Sequence, residues 1–272
     1  MASGAEGAAA ENGEKDYIME HLLDGADLHL PPPWHHLHLP HLELFGFDIS
    51  ITRHVVMMWF AALLLILAFT ITTRRRGLVP SGLANMFEAV VLFIRDEIAR
   101  PALGEHEYRR FMPFLLTVFF FILTCNLLGL VPYGSTATGN VSVTAGLAIC
   151  AFFAIQIGGI IHNGLFGYFK GLVPHGLPLP ITILLIPIEV LGLFSKPFAL
   201  CIRLFANITA GHVIILALLG LIFMFKSYGV VAVAVPFSLA IYLLELFVAM
   251  VQAYIFTMLS AVFIGMAVHQ EH

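Results

Sequence analysis

Long apolar runs separated by short polar breaks dominate this chain from about residue 54 onward. Residues 1–50 carry no such run. They are polar, acidic and rich in Pro and His, a composition that reads as a flexible or loosely packed tail. The first apolar run, about 54–73, closes on Thr72-Thr73-Arg74-Arg75-Arg76. Residues 80–104 follow a different pattern, with Arg95, Asp96, Glu97 and Arg100 set among Phe87, Val90, Val91, Phe93 and Ile94. That charge density excludes a helix crossing lipid and predicts an amphipathic helix at the membrane interface. A second span covers about 109–131, where the run FMPFLLTVFFFILTCNLLGLV ends at Val131-Pro132-Tyr133-Gly134. A third covers about 143–169 and ends at Lys170.

A Gly/Pro-rich stretch, GLVPHGLPLP, then leads to two much longer runs, about 181–225 and 230–268. A helix of about 45 residues would be roughly 67 Å long, twice the ~30 Å hydrocarbon core. In the first run, Ser195-Lys196-Pro197 offers too few residues for a loop that returns to water, whereas Pro197 can kink one continuous helix. The second run has no candidate break beyond Pro236, near its start. The pattern therefore predicts two long, strongly tilted helices forming a hairpin at Lys226-Ser227-Tyr228-Gly229. The expected fold class is an all-α polytopic membrane protein. A membrane domain over 51–272 holds five transmembrane helices and one interfacial amphipathic helix, and the tail of 1–50 precedes it.

Composition agrees. Hydrophobic residues make up 60% of the chain and charged residues 11%, against about 25% charged in a soluble domain. With a mean hydropathy of +0.94, lipid must be the solvent for most of the surface. The net charge of −4 and the absence of a basic stripe argue against a nucleic-acid partner. Cys125, Cys150 and Cys201 sit inside apolar stretches as small buried hydrophobes, with no spacing that suggests a disulfide or zinc site. The N-terminus lacks a basic region followed by an apolar one, so it does not read as a cleaved signal peptide. With the N-terminal tail outside, Arg74, Arg75, Arg76, Arg95, Arg100, Arg109, Arg110 and Lys170 collect on one side of the membrane, and Lys15, Arg53 and Lys226 on the other. This obeys the positive-inside rule and places the C-terminus in the cytoplasm. No internal repeat is visible, which argues against inverted-repeat transporter folds.

An ionisable side chain at mid-bilayer costs at least ~2.5–3.5 kcal/mol on insertion scales, so each one marks a functional hypothesis. The 181–225 run contains Glu189, Lys196, Arg203, Asn207 and His212, and the 230–268 run contains Glu245 and Gln252. Glu189, Lys196 and Arg203 recur every seven residues, which at 3.6 residues per turn keeps them on one face. Asn207 lies four past Arg203 on that face, whereas His212, nine past it, lies on the opposite side about 13 Å along. In an antiparallel hairpin, His212 and Glu245 fall at similar depth and can pair. Structural roles compete at several positions. Lys196 can snorkel to the interface, Asn207 and Gln252 can be interhelical hydrogen-bond partners, and Glu189 can pair with Lys196. Arg203 has no carboxylate within four positions on its own helix, so its counter-charge must come from elsewhere in the protein or from a partner.

The runs Ser195-Lys196-Pro197 and Arg203-Leu204-Phe205-Ala206-Asn207-Ile208-Thr209-Ala210-Gly211-His212 closely resemble the signature of subunit a of F-type ATP synthases. So do Glu245 with Gln252-Ala253-Tyr254-Ile255-Phe256, and Asn126 in Thr124-Cys125-Asn126-Leu127-Leu128-Gly129. The resemblance spans about 50–268 and is most specific over 195–212; the tail matches no family pattern. It implies a non-catalytic, proton-translocating subunit without cofactor or metal, set in a bacterial inner membrane beside a rotating ring of c subunits and the peripheral stalk of subunit b. Arg203 would face the ring carboxylate. Asn126, Asn207, His212, Glu245 and Gln252 would form the inlet half-channel, Glu189 the outlet, and Lys196 a structural or channel position. Some family members carry the acid and the histidine in the opposite order at the positions of His212 and Glu245. The His–Glu pair favours H⁺ over Na⁺ as the transported ion.

Two other classes compete. The run His35-His36-Leu37-His38-Leu39-Pro40-His41 resembles metal-ligating tracts of membrane metalloenzymes. However, it precedes the first span, and His54, His106, His162 and His175 supply no second such box. A secondary transporter with an Arg–carboxylate relay would act without any partner ring.

Overall fold

The computed structural model describes residues 27–28, 37–38, 43–44, 47–48, 52–74, 82–131, 137–171, 179–225 and 227–269. In the tail, β1 (Asp27–Leu28) pairs antiparallel with β2 (Leu37–His38), and β3 (Glu43–Leu44) with β4 (Phe47–Asp48). The rest of the architecture is helical: α1 (Arg53–Arg74), α2 (Leu83–Phe93), a π-helical turn (Ile94–Ala99), α3 (Arg100–Gly129), a 3-10 turn (Ala137–Gly139), α4 (Val141–Gly171), α5 (Leu179–Phe225) and α6 (Tyr228–Val268). Helix is what apolar runs of this length must form in lipid, where every backbone N–H and C=O needs an internal partner.

Five helical stretches are long and apolar enough to cross a membrane: Arg53–Thr72, Leu83–Gly129, Val141–Tyr168, Leu185–Phe225 and Tyr228–Val268. The expected all-α polytopic class is therefore observed. Both long runs are single helices, and α5 continues through Pro187 and Pro197 as α6 does through Pro236. The tail's histidine run, the arginines at 75 and 76, and the loop at 172–178 lie outside the described residues, apart from the backbone of β2.

The helices carry three irregularities, two in the charged stretch before the second span and one that hydropathy did not announce. The segment expected to lie at the interface joins the second span by helical winding from 83 to 129. Its register is reset at the π-helical turn, which holds Arg95, Asp96 and Glu97, and again at Gly104 (φ 76°, ψ 168°). The third run, expected as one span to 169, is interrupted inside α4 at Gly164 (φ 71°, ψ 162°). A residue without Cβ adopts this left-handed backbone at little steric cost, so a single glycine breaks the helix at 164 although the hydropathy there stays high.

Packing divides the chain into two compact units. One comprises Met1–Ala62, Thr124–Asn140 and Phe205–Met250; the other comprises Leu63–Leu123, Val141–Leu204 and Val251–His272. In the second unit, Ile94, Ile98, Ala99 and Leu103 are buried in a core with Leu115, Ile122, Phe256 and Ile264. Phe69 lies 5.1 Å from Phe87 and 5.0 Å from Phe120 between ring centroids, contacts worth about 0.5–1.5 kcal/mol each beyond their burial. The end of α6 is tied down: Asn163 Nδ2 donates to Ala267 O (3.0 Å) and Val268 O (3.2 Å), and His269 Nε2 lies 2.9 Å from Leu103 O. Two of those bonds satisfy carbonyls that a helix C-terminus otherwise leaves open. In the first unit, Tyr242 OH donates to Leu130 O (2.9 Å), fastening the end of α3 to α6.

Candidate functional site

Within the first unit, the stretch of α5 that ends at Phe225 and the stretch of α6 that begins at Tyr228 bring His212 against Glu245. His212 Nε2 lies 3.4 Å from Glu245 Oε1, slightly beyond the usual ~2.7–3.2 Å hydrogen bond. Glu245 is 4% exposed, and neither of its carboxylate oxygens receives a hydrogen bond among the described residues. The pairing expected from helix arithmetic is therefore realised in geometry. Gly211 makes room for it: a Cβ there would stand 2.8 Å from Glu245 Oε1 and 2.9 Å from its Cδ.

Asn126 is buried beside the same helix. Its Nδ2 donates to Ala249 O (3.3 Å), and its Oδ1 accepts from Thr138 Oγ1 (2.7 Å). Thr138, which hydropathy gave no reason to single out, fixes the amide's orientation from the 3-10 turn. Asn207 is exposed on α5.

Within the second unit, Arg203 is exposed on α5 beside the exposed Phe198 and Ile202. No carboxylate pairs with it among the described residues. Glu189 and Lys196 are half-buried and form no ion pair with each other. Their suggested pairing fails on geometry, since seven residues separate them by about 10 Å along the helix. Lys196 Nζ sits instead 5.4 Å from the Phe263 ring centroid, at cation–π distance. Gln252 is buried on α6 (2% exposed).

Other polar residues emerge only in the structure. Arg53, counted above as a loop charge, is the first residue of α1 and is buried, as is His54 beside it. Glu107, His162 and His269 gather where α3, α4 and α6 meet, with His162 Nδ1 3.6 Å from Glu107 Oε1 and the two imidazole centroids 6.0 Å apart. Among the described residues, no group of three or more His, Cys, Asp or Glu side chains is arranged to hold a metal ion.

Comparison with known proteins gives one consistent result. Residues 55–265 match the family model described as ATP synthase A chain. The chain is 52% identical to ATP synthase subunit a 2 of Chlorobaculum tepidum over 98% of its own length and 77% of that protein's. It is 52% identical to ATP synthase subunit a of Chloroherpeton thalassium, over 95% and 79% respectively. It is also 55% identical to ATP synthase subunit a of Myxococcus xanthus, over 83% and 75%.

Proposed function

The chain belongs to the ATP synthase A chain family, and we propose that it is the non-catalytic, proton-conducting stator subunit of a rotary F-type ATP synthase. One observation carries the reading. A guanidinium sits on the exposed face of a 47-residue apolar helix with no counter-charge among the described residues. Such a charge in lipid is costly unless a carboxylate from another subunit meets it. Arg203 cannot deprotonate, so it favours the ionised form of each c-ring carboxylate that passes and makes that site release its proton. It also bars protons from passing directly between the two half-channels.

The pair of half-buried His212 and buried Glu245 supplies proton-relay chemistry on the inlet side. Asn126, Asn207 and Gln252 complete that path, and Glu189 serves the outlet. Asn126 acts there through its hold on α6, because its amide is committed to Thr138 and Ala249. Each proton crossing the membrane supplies about 2.3 kcal/mol per 100 mV, so several must add for each ATP made. Peripheral-stalk subunit b and surrounding lipid are the other partners. The protein sits in the bacterial plasma membrane with its N-terminus outside and its C-terminus in the cytoplasm.

The test is Glu245→Gln in the whole complex reconstituted in vesicles. Passive proton flux through the membrane sector should collapse while the subunits still co-purify. Wild-type flux in an assembled mutant would overturn the assignment of Glu245.

A further inference from the structure

The hydroxyls along α6 do not behave alike. Thr257 Oγ1 donates to Ala253 O and Ser260 Oγ to Phe256 O, each at 2.8 Å, so both bond back onto their own helix as hydroxyls in apolar surroundings do. Ser238 has the same option at Ala234 O and does not take it. Its Oγ is buried and has no hydrogen-bond partner among the described residues. Buried hydroxyls almost always have a partner, protein or water. Ser238 precedes Glu245 by seven residues, which places both on one face of α6, about 10 Å apart along the axis. Glu245 presents two more buried carboxylate oxygens without a hydrogen bond. Ser238 lies on the side of Glu245 toward Tyr228, where α6 begins. One helix face in the first unit therefore carries buried polar oxygens at Ser238 and Glu245, leading from the Tyr228 end of α6 toward the His212–Glu245 pair.

We propose that Ser238 is a further proton-path residue, holding a chain of water molecules that delivers protons from the Tyr228 end of α6 to Glu245. This rests on the inlet role given to Glu245 above. A hydroxyl suits the task because it both accepts and donates. Its Oγ accepts a hydrogen bond from the incoming protonated water while its own O–H points to the next water. As the excess proton moves along the chain, each O–H bond broken is matched by one formed, and the proton ends on a Glu245 oxygen with no charge left on the serine.

Two sets of variants of the intact complex test this. With Cys125, Cys150 and Cys201 replaced by alanine, S238C should react with a small, charged methanethiosulfonate reagent added to the outer face, and proton flux should fall by about tenfold or more as the path is plugged. L239C, one residue away and 60% exposed on the apolar surface, should stay unmodified because it faces lipid. Independently, S238T keeps the hydroxyl and should retain about half of the flux or more, whereas S238V removes it and should lower flux about tenfold. Equal reactivity of S238C and L239C, or full flux in S238V, overturns the proposal. Glu245→Gln in the same preparation separates the failures. If flux depends on Glu245 but not on Ser238, only this inference falls; if it depends on neither, the inlet reading falls too.

Discussion

Adding one methyl group at Gly211 perturbs the His212–Glu245 pair without touching either residue. The new Cβ would lie 2.8 Å from Glu245 Oε1, 2.9 Å from Cδ and 3.2 Å from Cγ. Non-bonded heavy atoms settle near 3.5 Å, so the carboxylate must recede by about 0.6 Å or more. The obstacle is the end of a flexible side chain, so the displacement costs about 0.5–1.5 kcal/mol as an off-rotamer Glu245. Alanine in a helix interior returns about 1 kcal/mol relative to glycine. The two nearly cancel, and Gly211→Ala should fold and assemble as the parent does. Conduction should not survive so well, because misplacing a proton-transfer group by about 1 Å can cost up to a hundredfold. We expect passive proton flux to fall between about tenfold and a hundredfold, read by quenching of a pH-sensitive dye in vesicles. Adding Glu245→Asp to Gly211→Ala withdraws the carboxylate by about one bond, ~1.5 Å, and should restore part of the flux, a coupling that a double-mutant cycle detects. Full flux in Gly211→Ala with normal assembly would refute the claim that the close approach at Gly211 sets the position of Glu245.

Further outcomes follow from the surrounding contacts. Thr138→Val leaves the Asn126 carbonyl without its donor in a fully buried setting, so the detergent-solubilised protein should lose about 1–3 kcal/mol of stability, seen as a lower thermal midpoint. Lys196→Met removes a cation–π contact with Phe263. It should cost no more than about 2 kcal/mol and leave proton flux near the parent value; collapse of flux would give Lys196 a channel role instead.

The parts legible in the sequence were those governed by period and cost. Heptad spacing in Glu189, Lys196 and Arg203 put three polar groups on one face of α5, and equal depth about the turn put His212 beside Glu245. Both arguments need only helix geometry, and continuous helix is what lipid imposes. The glycine break at 164 was not legible, because the hydropathy around it stays high and a positive φ leaves no composition signal, whereas the break at 104 falls where charge already separated the segment 80–104 from the span that follows. Thr138 was hidden for a related reason. It is one polar residue in a polar loop, and its importance comes from a tertiary contact with Asn126 across twelve residues of chain. The contact between Lys196 and Phe263 was not legible, because Phe263 is an ordinary apolar residue until the fold brings it near. Gly211 was in view as part of a signature, but only the atoms of Glu245 beside it explain why a side chain there would interfere.

The central claim concerns Arg203, a fixed cation that waits for a carboxylate from another subunit. Its most direct test is Arg203→Lys in the intact, membrane-embedded complex, with ATP-driven proton pumping as the readout. Lysine keeps the positive charge but loses the planar fork and the pKa that keeps guanidinium charged. The account predicts an assembled complex in which ATP-driven pumping is abolished. Normal coupled pumping by the Arg203→Lys complex would contradict it.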